Sequence, residues 1–221
     1  MLAGWDGSMA AERAEPLIAT AWWRELTRAL YSDELGDAFR RHWSARALFV
    51  ANALGANSAW CDDVRTRAVE TCAQVLSTSL ERALRDLRAR FGDDPAAWRW
   101  GAAHIAEQRH RPFSRQFLLG RFFDIRVPTP GDAYSINVGR SDFSDEAAPY
   151  ASRHAAGYRA IYDLADPQGS LFIQSGGQSG NPLSAHYRSF AAAWARGQYT
   201  RALTDRARLE AEWVQRLVLR P

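Results

Sequence analysis

The sequence contains no lysine, and all 28 of its basic residues are arginines. Its 25 acidic residues leave a formal net charge of only +3. Because opposite charges are interspersed, the resulting field is weak and attracts nucleic acid or an acidic membrane surface poorly. The absence of lysine also excludes a P-loop phosphate site, whose motif requires that residue. We therefore expect no nucleic-acid partner.

Cysteine is also scarce, with Cys61 and Cys72 as its two examples. They do not form a C-x-x-C motif, no histidines cluster near them, and no H-E-x-x-H motif occurs, so the residues predict no metal site. A disulfide between them and two buried reduced thiols are both compatible with the sequence.

Long apolar runs are missing as well. No window approaches the roughly 18 apolar residues that a membrane-spanning helix requires. The first seven residues also lack the basic and apolar regions of a signal peptide. Taken alone, these absences predict no membrane span and a cytoplasmic protein.

The 221 residues suffice for one large domain or two small ones. Nine tryptophans contribute to an aromatic content of 12%, so many large rings must be buried.

Helical periodicity dominates the first part of the chain and predicts helices over residues 12–31, 32–43, 45–53 and 62–91. Pro16 fits the first turns of the first helix, and Ser32-Asp33-Glu34 suits the start of the second. Asp62 and Asp63 would cap the last helix, which Gly92 would close.

That last helix carries a face of arginines, namely Arg65, Arg67, Arg82, Arg85, Arg88 and Arg90. One interpretation is a nucleic-acid-binding helix; the other is a solvated face paired locally with Glu70, Glu81 and Asp86. The second is favoured, because no recognition motif accompanies the arginines.

The later part of the chain has mixed patterning. Strands are predicted over residues 122–127, 134–138, 158–164 and 171–174. The last two would form a hairpin through the turn Asp166-Pro167-Gln168-Gly169. Helices are predicted over 185–196 and 200–217.

The candidate nucleophile in the glycine loop is Ser179. The loop lacks the final glycine of G-x-S-x-G, because Asn181 follows Gly180, and no downstream histidine and acid complete a triad. His104 and His110 are six residues apart and so do not share a helix face for a metal. Core histidines with backbone partners are the favoured interpretation. His42, His154 and His186 stand alone, and Asp93-Asp94 indicates a turn.

Four segments, taken in order, resemble the carboxy-terminal half of penicillin acylase family β chains. Two departures occur: Ala185 stands for a usual proline and Ser135 for a usual threonine. The segments are Leu2-Ala3-Gly4-Trp5-Asp6-Gly7-Ser8-Met9 with the helix after it, Trp98-Arg99-Trp100-Gly101-Ala102-Ala103-His104, Pro130-Gly131-Asp132-Ala133-Tyr134-Ser135-Ile136-Asn137, and Gly177-Gln178-Ser179-Gly180-Asn181-Pro182-Leu183-Ser184-Ala185-His186-Tyr187 followed by Trp194, Gly197 and Tyr199.

The resemblance implies an α+β fold, the carboxy-terminal portion of an αββα N-terminal-nucleophile hydrolase, with residues 1–221 forming one incomplete domain. A helical first half would be followed by strands and terminal helices. The family hydrolyses linear amides, including penicillins, cephalosporins and N-acyl-homoserine lactones. Its amino-terminal serine attacks the carbonyl, and the free α-amino group of that serine acts as base.

In the family, that serine, the oxyanion-hole asparagine and the calcium ligands precede the tryptophan-aspartate-glycine segment. No catalytic, cofactor-binding or metal residue is therefore assigned to this chain. Ser8 lies in the wrong context to replace the nucleophile, and Gln178 and Ser179 are interpreted as structural.

The implied partners are the α chain and the start of the β chain, together with a small acyl amide substrate. The implied location is periplasmic or extracellular, and the chain alone would be inactive. An unpaired sheet edge and exposed Trp and Phe side chains are expected. The alternative is a non-catalytic, partner-binding domain derived from the same family.

Overall fold

The computed structural model describes residues 2–212, 217 and 218, with helices prevailing in the first part and short strands in the second. The predicted α+β class is confirmed. The α-helices among the described residues are α1 (Glu15–Leu35), α2 (Phe39–His42), α3 (Ala47–Leu54), α4 (Cys72–Phe91), α5 (Trp100–Ala103), α6 (Phe117–Phe123), α7 (Ala191–Ala195) and α8 (Arg206–Glu212). The strands are β1 (Ile105–Gln108), β2 (Ile125–Pro128), β3 (Gly139–Arg140), β4 (His154–Ala155), β5 (Tyr158–Ile161), β6 (Leu171–Gln174) and β7 (Thr200–Arg201).

The first predicted helix is confirmed as α1, with Pro16 in its first turn. The predicted helix start at Ser32 is wrong, because α1 continues through Leu35 without a break. It ends at Gly36, whose φ of +46° leaves the helical region. A 3-10 turn (Gly36–Ala38) and α2 follow, and the predicted 45–53 helix is confirmed as α3.

The predicted helix 62–91 is wrong in its first third and right in the rest. A capping box of Thr71 and Gln74 starts α4 at Cys72, and Gly92 closes it with φ +88°. Residues 62–71 form a loop in which Asp62 accepts from the Glu70 amide instead of capping a helix.

The disulfide between Cys61 and Cys72 explains that late start. A continuous helix would separate their Cα atoms by about 16 Å, whereas the bridge holds them 5.0 Å apart. Of the two states left open by the sequence, the bridged one is observed.

The arginine face of α4 is exposed to solvent. Arg90 pairs with Asp86 one turn earlier at 2.8 Å, as the local-pairing interpretation predicts. That no nucleic acid binds there stays a prediction.

The predicted hairpin is confirmed. β5 and β6 are antiparallel with Tyr158 opposite Gln174, and the intervening 3-10 turn (Pro167–Gly169) is capped by the Asp166 carboxylate. β7 extends the sheet on the other side of β6.

Four other predictions for this part of the chain fail wholly or in part. The predicted strand 122–127 begins too early, because α6 ends at Phe123 and β2 starts at Ile125. No strand forms over 134–138, where the Asp132 carboxylate accepts from the amides of Tyr134 and Ser135 and from the Ser135 hydroxyl and so curls the chain.

Of the helix predicted over 185–196, only α7 forms. The helix predicted over 200–217 is replaced at its start by β7, and α8 occupies part of its middle. Residues 213–216 of that prediction lie outside the described residues.

The described chain divides into two compact units. Unit 1 contains the residues up to Glu107 together with Pro128–Ala155; unit 2 contains Gln108–Val127 and the residues from Ala156 onward. The prediction of one incomplete domain stays a prediction.

Unit 1 is organised around α1, which packs lengthwise against α4. Two apolar cores lie along it, one around Trp98 and Trp100 and one around Trp43. In unit 2, Ile173 of β6 and Trp194 of α7 are the most deeply buried large side chains among the described residues.

The expectation of exposed aromatic residues is half right. Phe117 and Phe122 of α6 are largely exposed. Every described tryptophan is buried or half-buried, which contradicts the expectation for that residue. Within residues 2–212, no helix combines the length and apolarity needed to cross a membrane.

Candidate functional site

Three of the four family-like segments meet in unit 1. The amides of Trp100 and Gly101 donate to the carbonyls of Arg13 and Ala11 at 2.8 and 2.7 Å. The Trp100 indole N–H donates to the Gly131 carbonyl at 3.0 Å. A Cβ on Gly101 would lie 3.0 Å from that of Ala11, so glycine allows this close approach without displacing Ala11.

The tryptophan-aspartate-glycine segment is a tight turn held by its own polar groups. Asp6 accepts from the Ser8 amide at 3.0 Å and from Arg13 at 2.9 Å, while the Trp5 indole donates to the Ser8 carbonyl. The hydrogen bond from the Ser8 backbone, aided by Arg13, lowers the pKa of the Asp6 carboxyl despite the opposing effect of burial. Ser8 contributes only backbone atoms to these contacts.

His104 is the central buried polar residue of unit 1. Its ring is fully buried, stacks on Trp100 with centroids 4.3 Å apart, and places Nδ1 2.7 Å from the Tyr150 carbonyl. Burial lowers the pKa of His104 below 6.5, against the raising effects of that carbonyl and of Asp132. The neutral ring therefore donates from Nδ1, as expected of a core histidine with a backbone partner.

Two buried polar atoms lie beside Gly139 without a hydrogen-bond partner in the described structure: His104 Nε2 and Ser152 Oγ. A Cβ on Gly139 would lie 2.5 Å from His104 Nε2 and 3.3 Å from Ser152 Oγ. The absent side chain at Gly139 thus leaves space for the imidazole.

Gly139 and Trp100 also line an open cleft of about 970 Å³ in unit 1. Its aromatic lining consists of Trp5, Trp23, Trp43, Trp100, Tyr134 and Phe143. Its charged lining consists of Arg46, Arg140, Arg153, Asp132 and Asp142. Such a surface suits a largely apolar group with a polar or charged end.

The cleft holds no hydrogen-bonded nucleophile and base among its described residues. The Ser141 hydroxyl donates to the Tyr150 carbonyl, and Ser44 Oγ accepts from Arg46. The sequence does not predict this cleft. Its walls come from separate segments whose aromatic residues look like ordinary core residues in a linear pattern.

The glycine loop that contains Ser179 belongs to unit 2. A Cβ on Gly177 would lie 2.0 Å from the His186 carbonyl oxygen, so the backbones touch there. Ser179 Oγ accepts from the Asn181 amide at 3.1 Å, and the Ser179 amide donates to the His186 carbonyl at 3.3 Å. These contacts fit the structural interpretation of Ser179 and lack the strand–turn–helix arrangement of a nucleophile elbow.

Unit 2 also brings together a serine, a histidine and an aspartate. The Asp124 carboxylate accepts from the Ser114 hydroxyl and from the His110 amide. The His110 ring instead stacks on Phe113, with its Nδ1 buried and unpartnered. Because the imidazole does not lie between the hydroxyl and the carboxylate, this cluster is not a catalytic triad. Its hydrogen bonds hold the loop from His110 to Ser114 against Asp124.

The calcium implied by the family resemblance finds no fit in the described structure. No group of three His, Cys, Asp or Glu residues between positions 2 and 212 is arranged to hold a metal ion. No residue of this chain is assigned to calcium.

Comparison with known proteins identifies related sequences over the whole chain. The family model "Penicillin amidase" matches residues 1–211. The acyl-homoserine lactone acylase QuiP of Pseudomonas syringae pv. syringae is 30% identical, over 100% of this chain and 28% of that protein. The QuiP protein of Pseudomonas aeruginosa is 29% identical, over 90% of this chain and 26% of its own length. The chain thus spans about a quarter of these curated relatives.

A similar fold occurs in a thermostable penicillin G acylase from Alcaligenes faecalis. The TM-score is 0.51 at 15% identity, covering 100% of this chain and 42% of that one. At this identity the likeness concerns the fold alone.

Proposed function

The chain belongs to the penicillin amidase family, and from this premise we propose that it is the carboxy-terminal part of the β chain of an amidohydrolase. The reaction is hydrolysis of a linear amide C–N bond. The serine nucleophile, its α-amino base and the oxyanion hole come from a separate portion of the enzyme. The chain alone is inactive.

One observation carries the proposal: the family-like segments act as scaffold. The Trp100 indole, the Asp6 and Asp132 carboxylates and the His104 Nδ1 all hold backbone or neighbouring groups in place. The side chains that resemble the family most therefore build one wall of a site whose reacting groups lie elsewhere.

The substrate class we propose is an N-acyl amide with an apolar acyl group, such as an N-acyl-homoserine lactone or a penicillin. The aromatic lining of the cleft supports an apolar acyl group, and its arginines support the carboxylate that hydrolysis releases. The names of the QuiP relatives favour acyl-homoserine lactones over penicillins.

The partner in this proposal is the polypeptide with the α chain and the start of the β chain, and the location is periplasmic or extracellular. A non-catalytic partner-binding domain is the second candidate, because Phe117, Leu118 and Phe122 expose apolar surface on unit 2.

The test is co-expression of the chain with the polypeptide encoded immediately upstream of it. We expect the two to copurify and to release free homoserine lactone from an N-acyl-homoserine lactone, or 6-aminopenicillanate from penicillin G. Each polypeptide expressed alone is the control and should be inactive.

Amide hydrolysis by the 221-residue chain alone would contradict the proposal. A stable complex that hydrolyses neither substrate, although its upstream partner retains the serine, would favour the non-catalytic candidate.

A further inference from the structure

β5 lies at the edge of the three-stranded sheet of unit 2, with β6 on one side. The Ser175 amide donates to the Gly157 carbonyl at 2.9 Å, which fixes the alternation of the antiparallel ladder. Arg159 and Ile161 therefore bond toward β6. The peptide groups of Tyr158 and Ala160 point to the open edge, where no described residue bonds to them.

Natural edge strands are normally protected by outward or inward-pointing charges, proline, bulges or a very short length. β5 is short and has one inward-pointing charge, but it contains no proline and no outward charge, and its register with β6 is continuous. Arg159 is its one charged residue, and the guanidinium turns inward, donating to the Trp194 carbonyl and lying 5.3 Å from the Trp194 ring centroid. The edge thus presents main-chain donors and acceptors without an outward charge.

Large side chains are exposed along the same segment. Tyr158 is 55% exposed, Ile161 54% and Tyr162 68%, and Leu164 just beyond is 93% exposed. The hydroxyls of Tyr158 and Tyr162 lie 3.3 Å apart on one side of the strand. An apolar strip beside open peptide groups is the recognition surface for strand addition.

Resting on the proposed function, we propose that the open edge of β5 pairs with a strand from the remaining portion of the amidase, which extends the sheet of unit 2. The relatives are three to four times as long as this chain, and the structural neighbour more than twice as long. That additional chain is the source of the strand.

A second copy of this chain would bind the β5 edge less tightly than a strand from the remaining portion of the amidase. β5 spans four residues, Tyr158–Ile161. Self-pairing through Tyr158 and Ala160 alone forms few hydrogen bonds and falls short of the roughly 1,200 Å² that stable interfaces bury. A strand that belongs to a larger body adds further contact surface to the same hydrogen bonds.

Amide hydrogen exchange measured by NMR tests the proposal. In the chain alone, the Tyr158 and Ala160 amides should exchange rapidly, whereas those of Arg159 and Ile161 are protected by β6. In the complex with the upstream polypeptide, Tyr158 and Ala160 should slow by about tenfold or more, since each gains a hydrogen bond.

Ala160→Pro is the matching variant, because it removes an amide that points outward and so leaves the ladder to β6 intact. Ala160→Val keeps the amide and is the control. We expect the proline variant to bind the upstream polypeptide at least about tenfold more weakly, and the valine variant to bind like the unmodified chain. Far-UV circular dichroism establishes that the proline variant is folded.

The outcomes separate this proposal from the amidase function. An active complex in which Tyr158 and Ala160 stay unprotected, or in which Ala160→Pro assembles normally, overturns the edge pairing and leaves the amidase function standing. If these amides are protected in a homodimer of the chain, the proposal that the pairing strand comes from the remaining portion of the amidase is overturned. Absence of both complex and hydrolysis overturns both proposals, and the exchange measurement decides the matter if the proline variant does not fold.

Discussion

The Arg24 guanidinium donates to the Glu146 carboxylate at 2.7 Å across 122 positions of sequence. It also donates to Glu25 and to the Phe143 carbonyl, and it lies 4.9 Å from the centroid of Trp43. Arg24 is 2% exposed. The residue thus fastens α1 to the segment that returns to unit 1 after the excursion into unit 2.

Replacing Arg24 should be costly, because it leaves the Phe143 carbonyl without its donor and removes the buried cation beside the nearly buried Glu25 carboxylate. We expect Arg24→Met to lower the free energy of unfolding by about 3 kcal/mol. Arg28→Met is the control: Arg28 binds the same Glu146 and lies 4.6 Å from the same ring, but it is one-third exposed, so its loss should cost about 1 kcal/mol or less. Urea denaturation measures the unfolding free energy of both variants. Equal losses in Arg24→Met and Arg28→Met would contradict the greater importance of the buried Arg24.

The protonation state of His104 makes the stability of unit 1 depend on pH. Because burial lowers its folded pKa below 6.5, the unfolded chain binds a proton first as the pH falls. The contribution of His104 to stability is therefore complete above about pH 6.5 and declines below it.

Comparison with His104→Gln isolates this effect. The difference in unfolding free energy between the two proteins should shrink as the pH falls from 7 to 5. A difference that is constant over this range would show that the folded His104 takes up its proton normally.

Two glycines of the family-like loop should respond differently to the same change. A Cβ at Gly177 meets the His186 carbonyl, whereas a Cβ at Gly180 meets nothing within 4 Å. We expect Gly177→Ala to destabilise unit 2 by about 3 kcal/mol or more, and Gly180→Ala to change stability by less than about 0.5 kcal/mol. Hydrogen exchange of the β6 amides reports both, and a tolerated Gly177→Ala would disprove the close approach.

The disulfide should stabilise unit 1 by restricting the unfolded chain. It links residues separated by 11 positions, so replacing both cysteines with serine should lower the unfolding free energy by about 2–3 kcal/mol. Thermal unfolding measures the loss. Alkylation without reductant, followed by mass spectrometry, should leave both cysteines unalkylated. Alkylation of either one would refute the bridge.

The arginine face of α4 should not act as a nucleic-acid site. Arg82, Arg85 and Arg88 are exposed on a chain whose net charge is only +3, so we expect weak binding to duplex DNA at low salt. A steep decline of a measurable affinity with rising salt would contradict this expectation, because it would reveal the release of many counterions.

Local signals in the sequence predict local structure well in this protein. Helical periodicity identifies α1 and α3, and the proline-glycine turn identifies the β5–β6 hairpin, because those elements obey patterns within a few neighbouring residues. The spacing of His104 and His110 likewise predicts a core histidine with a backbone partner, and the family resemblance predicts the structural role of Ser179.

Where distant residues decide the structure, the sequence misleads. The start of α4 is set by a covalent bond to Cys61, and the curled segment after Asp132 is set by one carboxylate that outcompetes strand pairing. The cleft escapes prediction for the same reason: Trp5, Trp43 and Tyr134 meet only after folding.

The discontinuity of unit 1 imposes an order on synthesis. Residues 108–127 are made before the chain supplies Phe143 and Glu146, the partners that Arg24 requires. At ribosomal speeds of about 5–20 residues per second, α1 emerges and then waits roughly 6–24 s for them. During that interval Arg24 has Glu25 as its only carboxylate partner among those it contacts in the folded chain, and the part of α1 that packs beside Phe143 stays uncovered.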